Sequence, residues 1–179
     1  MKTARLIITF DCNKDCSYCC NKYTSLIKKA MPNTNLDSLV NYDAICITGG
    51  EPFLDLDRTL HIVEELAQLK TTNPNLKLYL YTAMFKPLIG IYRIIRLVDG
   101  VQYTLHAKSN ELDIHHFKMF QTDIASQYPD KSCRLYIHPD VPYEVPIIPS
   151  LWKRLEVKPW IKEEDCCLPQ NETLYTYLK

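Results

Sequence analysis

The stretch RLIITFDCNKDCSYCC, residues 5–20, joins a short apolar run to a loop crowded with thiols. Residues 6–10 (LIITF) read as a strand. Directly behind it come Cys12, Cys16 and Cys19, at spacings of four and three, and then Cys20. Three chemistries use thiols in this way: disulfides, a zinc site and an iron–sulfur cluster.

The rest of the chain narrows the choice. It has 179 residues, enough for one domain with a hydrophobic core. Hydrophobic residues make up 46% and charged residues 23%, a globular balance. Lys plus Arg and Asp plus Glu are 21 each, so no large nonspecific nucleic-acid surface is expected, although a local basic patch is allowed. Residues 1–10 are too few and too mixed for a signal peptide, and no apolar run reaches membrane-spanning length. These features predict a cytoplasmic protein with no membrane partner. Thiols stay reduced in that compartment, so eight cysteines point to metal or catalysis before disulfides.

Short apolar runs alternate with amphipathic ones along the chain. Strands are expected at 6–10, 44–48, 76–82, 101–107, 133–139 and 154–160. Helices are expected at 20–31, ended by Pro32, at 56–70 with Asp55 or Asp57 as cap, at 86–98, and at 110–126 capped by Ser109. Strands alternating with helices imply βαβ units, a parallel sheet and right-handed crossovers. The expected fold is α/β, a partial (β/α)6 TIM-type barrel with parallel strands. One domain covers 1–179, with a core at 4–160 and a C-terminal tail at 161–179. The fifth connection carries Pro142, Pro146 and Pro149 and cannot hold a long helix, so that flank is expected to be thin or open.

The strands also have a parity. Leu76, Leu78 and Leu80, then Val101, Tyr103 and Leu105, then Cys133, Leu135 and Ile137, then Leu155 and Val157 alternate with polar partners. If the apolar sets face the helices, Lys77, Tyr79, Tyr81, Gln102, Thr104, His106, Arg134, Tyr136, His138, Glu156 and Lys158 face the lumen. A polar lumen is costly unless it binds something. Arg134 in particular needs an anionic partner there, either Glu156 or a ligand.

Zinc asks for four ligands, commonly in two close pairs, and no second pair is evident. Cys166 and Cys167 are neighbours, while Cys46 and Cys133 are isolated and suit small apolar fillers, as does Cys20. A cubane cluster takes four thiolates, so three in one loop would leave one iron open. The residues ITGGEP, 47–52, end the second strand. Their two glycines let the backbone approach a ligand closely, and Glu51 adds a carboxylate. Both loops emerge at the same end of a parallel sheet, where such folds bind ligands.

With these two motifs the chain resembles the radical S-adenosylmethionine superfamily. Its hallmark is CxxxCx(aromatic)C after the first strand, with Tyr18 in the aromatic place. Its second is GGEP after the second strand, here Gly49, Gly50, Glu51 and Pro52. The resemblance implies a [4Fe–4S] cluster on Cys12, Cys16 and Cys19, with S-adenosyl-L-methionine chelating the open iron. It implies that Gly49–Glu51 hold the methionine amino group, that the backbone near Tyr18 meets the adenine, and that Thr82 and His106 reach toward the ribose. Arg134, Tyr136, His138 and His106 are the expected substrate-side residues.

The implied activity is cleavage of S-adenosylmethionine to a 5′-deoxyadenosyl radical, which takes hydrogen from a nucleoside, nucleic-acid base or peptide. A flavodoxin- or ferredoxin-like protein would supply electrons. An activating enzyme that installs a glycyl radical on a partner closing the open flank is the alternative within the superfamily, although Asp11 stands where those enzymes have glycine. A zinc-stabilised binding module without catalysis is the alternative outside it.

Overall fold

The computed structural model describes residues 1–178; Lys179, the last residue of the expected tail, lies outside the described residues. The strands are β1 (Thr3–Thr9), β2 (Met31–Pro32), β3 (Ala44–Gly49), β4 (Lys77–Thr82), β5 (Gly100–Leu105), β6 (Cys133–Ile137), β7 (Trp152–Val157) and β8 (Glu172–Thr176). The helices are α1 (Thr24–Ile27), α2 (Leu56–Gln68), α3 (Ile89–Leu97) and α4 (Glu111–Gln127). No helix among the described residues is long and apolar enough to cross a membrane.

All strand pairings are parallel, in one eight-stranded sheet ordered β2-β8-β1-β3-β4-β5-β6-β7. The sheet is not closed: β2 and β7 are its edges. The expected strand count of six is therefore corrected to eight. β2 is only two residues long, and in β8 only Leu174 is buried, so neither carries an apolar run to read. β8 lies inside the segment expected as a tail, and it pairs with β1 from Thr3↔Glu172 to Ile7↔Thr176.

The expected helix over 20–31 is also corrected. A 3-10 turn at Cys20–Lys22 and the single turn α1 stand in its place, before β2. Helix α4 begins one residue later than expected. Asn110 is its cap, accepting from the Asp113 amide at 2.9 Å in a reciprocal capping box. Ser109 instead accepts the His106 amide at 3.0 Å. Asp55 caps α2 through the Arg58 amide at 3.1 Å.

The parity of the central strands holds. Leu78, Leu80, Val101, Tyr103, Leu105, Cys133, Leu135 and Ile137 are all buried in the core. Tyr103 meets Phe117 and Phe120 of α4 at ring-centroid distances of 5.2 and 4.9 Å. Burying each such side chain stabilises the fold by about 1.5–3 kcal/mol. On β7 the apolar set is not covered: Leu155 is 41% and Val157 59% exposed. The cause is the thin flank that the prolines foretell. The connection before β7 carries only a 3-10 turn at Pro149–Leu151, and the one after it only a turn at Glu163–Asp165.

The chain from 158 to 171 leaves β7, at one edge of the sheet, and returns in β8, beside the other edge. It thus crosses the gap between the two ends. These residues form a strap over that gap, while the flank before β7 stays thin.

Candidate functional site

The carboxyl ends of β1 and β3 are tied together by their backbones. Gly50 donates to the Thr9 carbonyl and Glu51 to the Asp11 carbonyl, each at 2.7 Å. Gly49 has φ +131°, a conformation that side chains rarely adopt. A Cβ on Gly50 would come within 1.9 Å of the Asp11 carbonyl oxygen. What approaches these glycines is the backbone leading into Cys12. The freedom expected to serve a ligand is used first to hold the cysteine loop. Asn21 donates to the Gly49 carbonyl and fastens the loop's far end.

Glu51 is 1% exposed. Its carboxylate accepts from the Thr82 hydroxyl at 2.6 Å, the Ala83 amide at 2.8 Å and the Phe53 amide at 3.1 Å. It therefore clamps the end of β4 to the turn behind β3. Burial outweighs these bonds and pushes its pKa up to about 7. A buried carboxyl in this state gains from a cationic neighbour.

A cavity of about 560 Å³ lies over these loops and against the polar set of the sheet. Seven strands contribute, through residues such as Arg5, Thr48, Tyr81, Gln102, Tyr136, Glu156 and Leu174. Cys12, Cys16, Cys19, Gly49, Gly50, Glu51, Thr82, His106, Arg134 and Tyr136 all line it. Tyr18, Pro52 and His138 do not. Tyr18 is 49% exposed. Pro52 is buried, opening a 3-10 turn, and its carbonyl accepts the Thr59 hydroxyl at 2.6 Å. His138 is buried beside Trp160 and accepts the Asp140 amide at Nδ1, 3.2 Å away.

Cys16 Sγ lies 3.0 Å from His106 Nδ1. Burial raises the thiol to about 11 and lowers the imidazole to about 4. The pair is a neutral thiol against a neutral ring, unlike the thiolate–imidazolium couple of a cysteine nucleophile. Burial also raises Cys12, and the charges of Cys19 and Cys12 each raise Cys16. The Lys14 amide points at Cys12 Sγ, 3.4 Å away. Thiols that resist ionisation through burial and mutual repulsion are stabilised as thiolates by a cationic metal. Among the described residues, no group of three or more His, Cys, Asp or Glu side chains is positioned to hold a single metal ion.

No protein-family model matches the chain, and no curated protein matches it in sequence.

Two features of the site were not legible in advance. Trp160 lines the cavity, stacked on Tyr136 at 5.4 Å and tilted against His106 at 4.9 Å. Its signal was present, because it continues the parity of Arg154, Glu156 and Lys158. Cys166 and Cys167 also line the cavity, and Cys166 Sγ stands 3.0 Å from Cys20 Sγ. Nothing in the spacing joins residues so far apart. Cys20 packs on an apolar cluster as a filler would and in addition meets Cys166, and Cys46 and Cys133 are buried as expected. Arg134 does not meet Glu156, which bridges Arg154 and Lys158 instead. Its guanidinium lies 5.8 Å from the Tyr79 ring centroid, with no carboxylate partner among the described residues.

Proposed function

We propose that the chain is a radical S-adenosylmethionine enzyme built on a partial (β/α) barrel. The observation that carries this reading is that Cys12, Cys16 and Cys19 line one cavity with Gly49, Gly50 and Glu51. Two motifs about thirty residues apart in sequence thereby share a single ligand space. A reduced [4Fe–4S] cluster held by Cys12, Cys16 and Cys19, with S-adenosylmethionine, would supply the electron transfer that gives methionine and a 5′-deoxyadenosyl radical able to take hydrogen from a substrate.

The protein's own residues supply position and exclusion of water. Cys12, Cys16 and Cys19 are the thiolate ligands. Glu51, held by Thr82, Ala83 and Phe53, offers a carboxylate whose ionisation a cationic amino group would favour. The substitution-intolerant Gly50 keeps the cysteine loop seated on the Glu51 turn. His106 and Tyr136, covered by Trp160, form an aromatic wall whose His106 end touches Cys16. Arg134, without a carboxylate partner, suits an anionic group of the substrate. An electron donor of the flavodoxin or ferredoxin kind and a nucleoside, nucleic-acid or peptide substrate belong to this reading.

The test is iron loading followed by turnover. After anaerobic reconstitution the protein should hold about four irons per chain. Cys12→Ala, Cys16→Ala and Cys19→Ala should each lose the cluster and the cleavage of S-adenosylmethionine, while Cys20→Ala keeps both. Deuterium transfer from a labelled substrate into 5′-deoxyadenosine identifies the substrate. A protein that binds zinc tightly and takes up no iron would overturn the reading.

A further inference from the structure

The strap over residues 158–171 is held at two ends. At its start, the Tyr136 hydroxyl donates to the Lys158 and Pro159 carbonyls at 2.9 and 2.8 Å, and Trp160 stacks on the same ring. Farther along it rests on the segment behind the cysteine loop. There the Tyr23 hydroxyl donates to the Ile161 carbonyl at 2.7 Å, and Ser25 binds Glu163 through its hydroxyl at 2.9 Å. The strap contains one 3-10 turn, and its residues 161–165 are all exposed. A segment with so few buried contacts opens at low cost.

Cys166 meets Cys20 at this second end, with 3.0 Å between sulfurs, about 1 Å more than a disulfide bond. Both are half-buried, both line the cavity, and both pack on the small apolar cluster of Ile7, Tyr23, Leu26 and Leu174. The two thiols come from parts of the chain that no strand pairing joins directly.

We propose that Cys20 and Cys166 form a reversible disulfide that fastens the strap across the cavity, so that access to the cavity depends on their reduction. The oxidant is a low-molecular-weight disulfide of the glutathione class. The Cys166 thiolate attacks one of its sulfurs, forming a mixed disulfide and releasing one thiolate. Cys20 then attacks Cys166 Sγ, its proton passing to the second departing thiolate. Two protein thiols lose two electrons, and one small disulfide becomes two thiols. Reduction by excess thiol reverses both steps.

The experiment uses the full-length, iron-loaded protein, equilibrated without oxygen against graded ratios of reduced and oxidised glutathione. Free thiols are alkylated with a light reagent, and the remainder are reduced and alkylated with a heavy one. Mass mapping should show Cys20 and Cys166 leaving the light pool together at one midpoint, and an unreduced portion of the same sample should show a cross-linked peptide joining them. Tryptic cleavage after Lys162 should slow by about tenfold or more in the oxidised protein, because a cross-link removes open conformations of the strap. Cys20→Ser and Cys166→Ser should each abolish that slowing, and Cys167→Ser should leave it.

The titration of the unsubstituted protein stands even where a variant folds poorly. Labelling of Cys20 at every ratio, pairing of Cys166 with Cys167, or slowing that survives Cys20→Ser in a folded protein would overturn the proposal. The labels on Cys12, Cys16 and Cys19 are read in the same maps, so failure of the cluster assignment is seen separately.

Discussion

At Gly50 a single missing side chain decides whether two loops can meet. The Asp11 carbonyl occupies the space of its Cβ, and that carbonyl accepts the Glu51 amide beside it. Gly50→Ala must therefore move the backbone that enters Cys12. The expected outcome is loss of bound iron as well as stability, measured by iron content and urea unfolding, rather than a selective loss of cofactor affinity. Glu51 next door has a pKa of about 7 in the fold against an ordinary value of 4.5. A carboxyl with a raised folded pKa binds its proton more tightly when folded. Its contribution is then fully present below about 4.5 and is lost as pH rises through about 7. The span amounts to roughly 3 kcal/mol at most. Urea midpoints of the cofactor-free protein should fall between pH 5 and 8, and Glu51→Gln should flatten that fall. An equally steep fall in Glu51→Gln would show that another group causes it.

At the scale of elements, the start of α4 does two jobs. Asn110 and Asp113 cap the helix reciprocally, and Asp113 also pairs with Lys14 of the cysteine loop at 2.5 Å. Lys14 is only 8% exposed, so the pair is shielded from solvent. Asn110→Ala should cost about 1 kcal/mol of stability, read from urea unfolding. Ser109→Ala should not reproduce the loss of the cap, although it removes the acceptor of the His106 amide. Element boundaries were the least legible part of the sequence for the same reason. Ser109 and Asn110 are both good caps, and only the backbone path chooses between them. Residues 20–31 have helical spacing in Tyr23, Leu26, Ile27 and Ala30, yet Tyr23 and Leu26 are drawn into a cluster with Ile7 and Leu174. That tertiary contact, together with β2 pairing to β8, ends α1 after one turn.

Across the whole molecule, β8 and the strap before it are structural parts of the domain. Leu174 is 1% exposed and Arg5 pairs with Glu172 at 2.7 Å, so β1 is flanked by β8 on one side and β3 on the other. A chain ending at Trp160 would leave β1 an edge strand with Ile7 uncovered. It should be largely insoluble or lack cooperative unfolding, whereas a chain treated as core plus dispensable tail would fold unchanged. Soluble yield and circular-dichroism melting separate these outcomes.

The sequence by itself determined the alternation of strands and helices, the parallel sheet, the inward polar parity of β5 and β6 and the grouping of two motifs at one end of the sheet. These follow from local periodicity and from the handedness of βαβ connections. Only the tertiary structure decided that eight strands pair, that Gly50 yields to Asp11 rather than to a ligand, and that Cys166 reaches Cys20. Each of these depends on residues distant along the chain being brought within a few ångströms, and spacing along the chain carries no record of that.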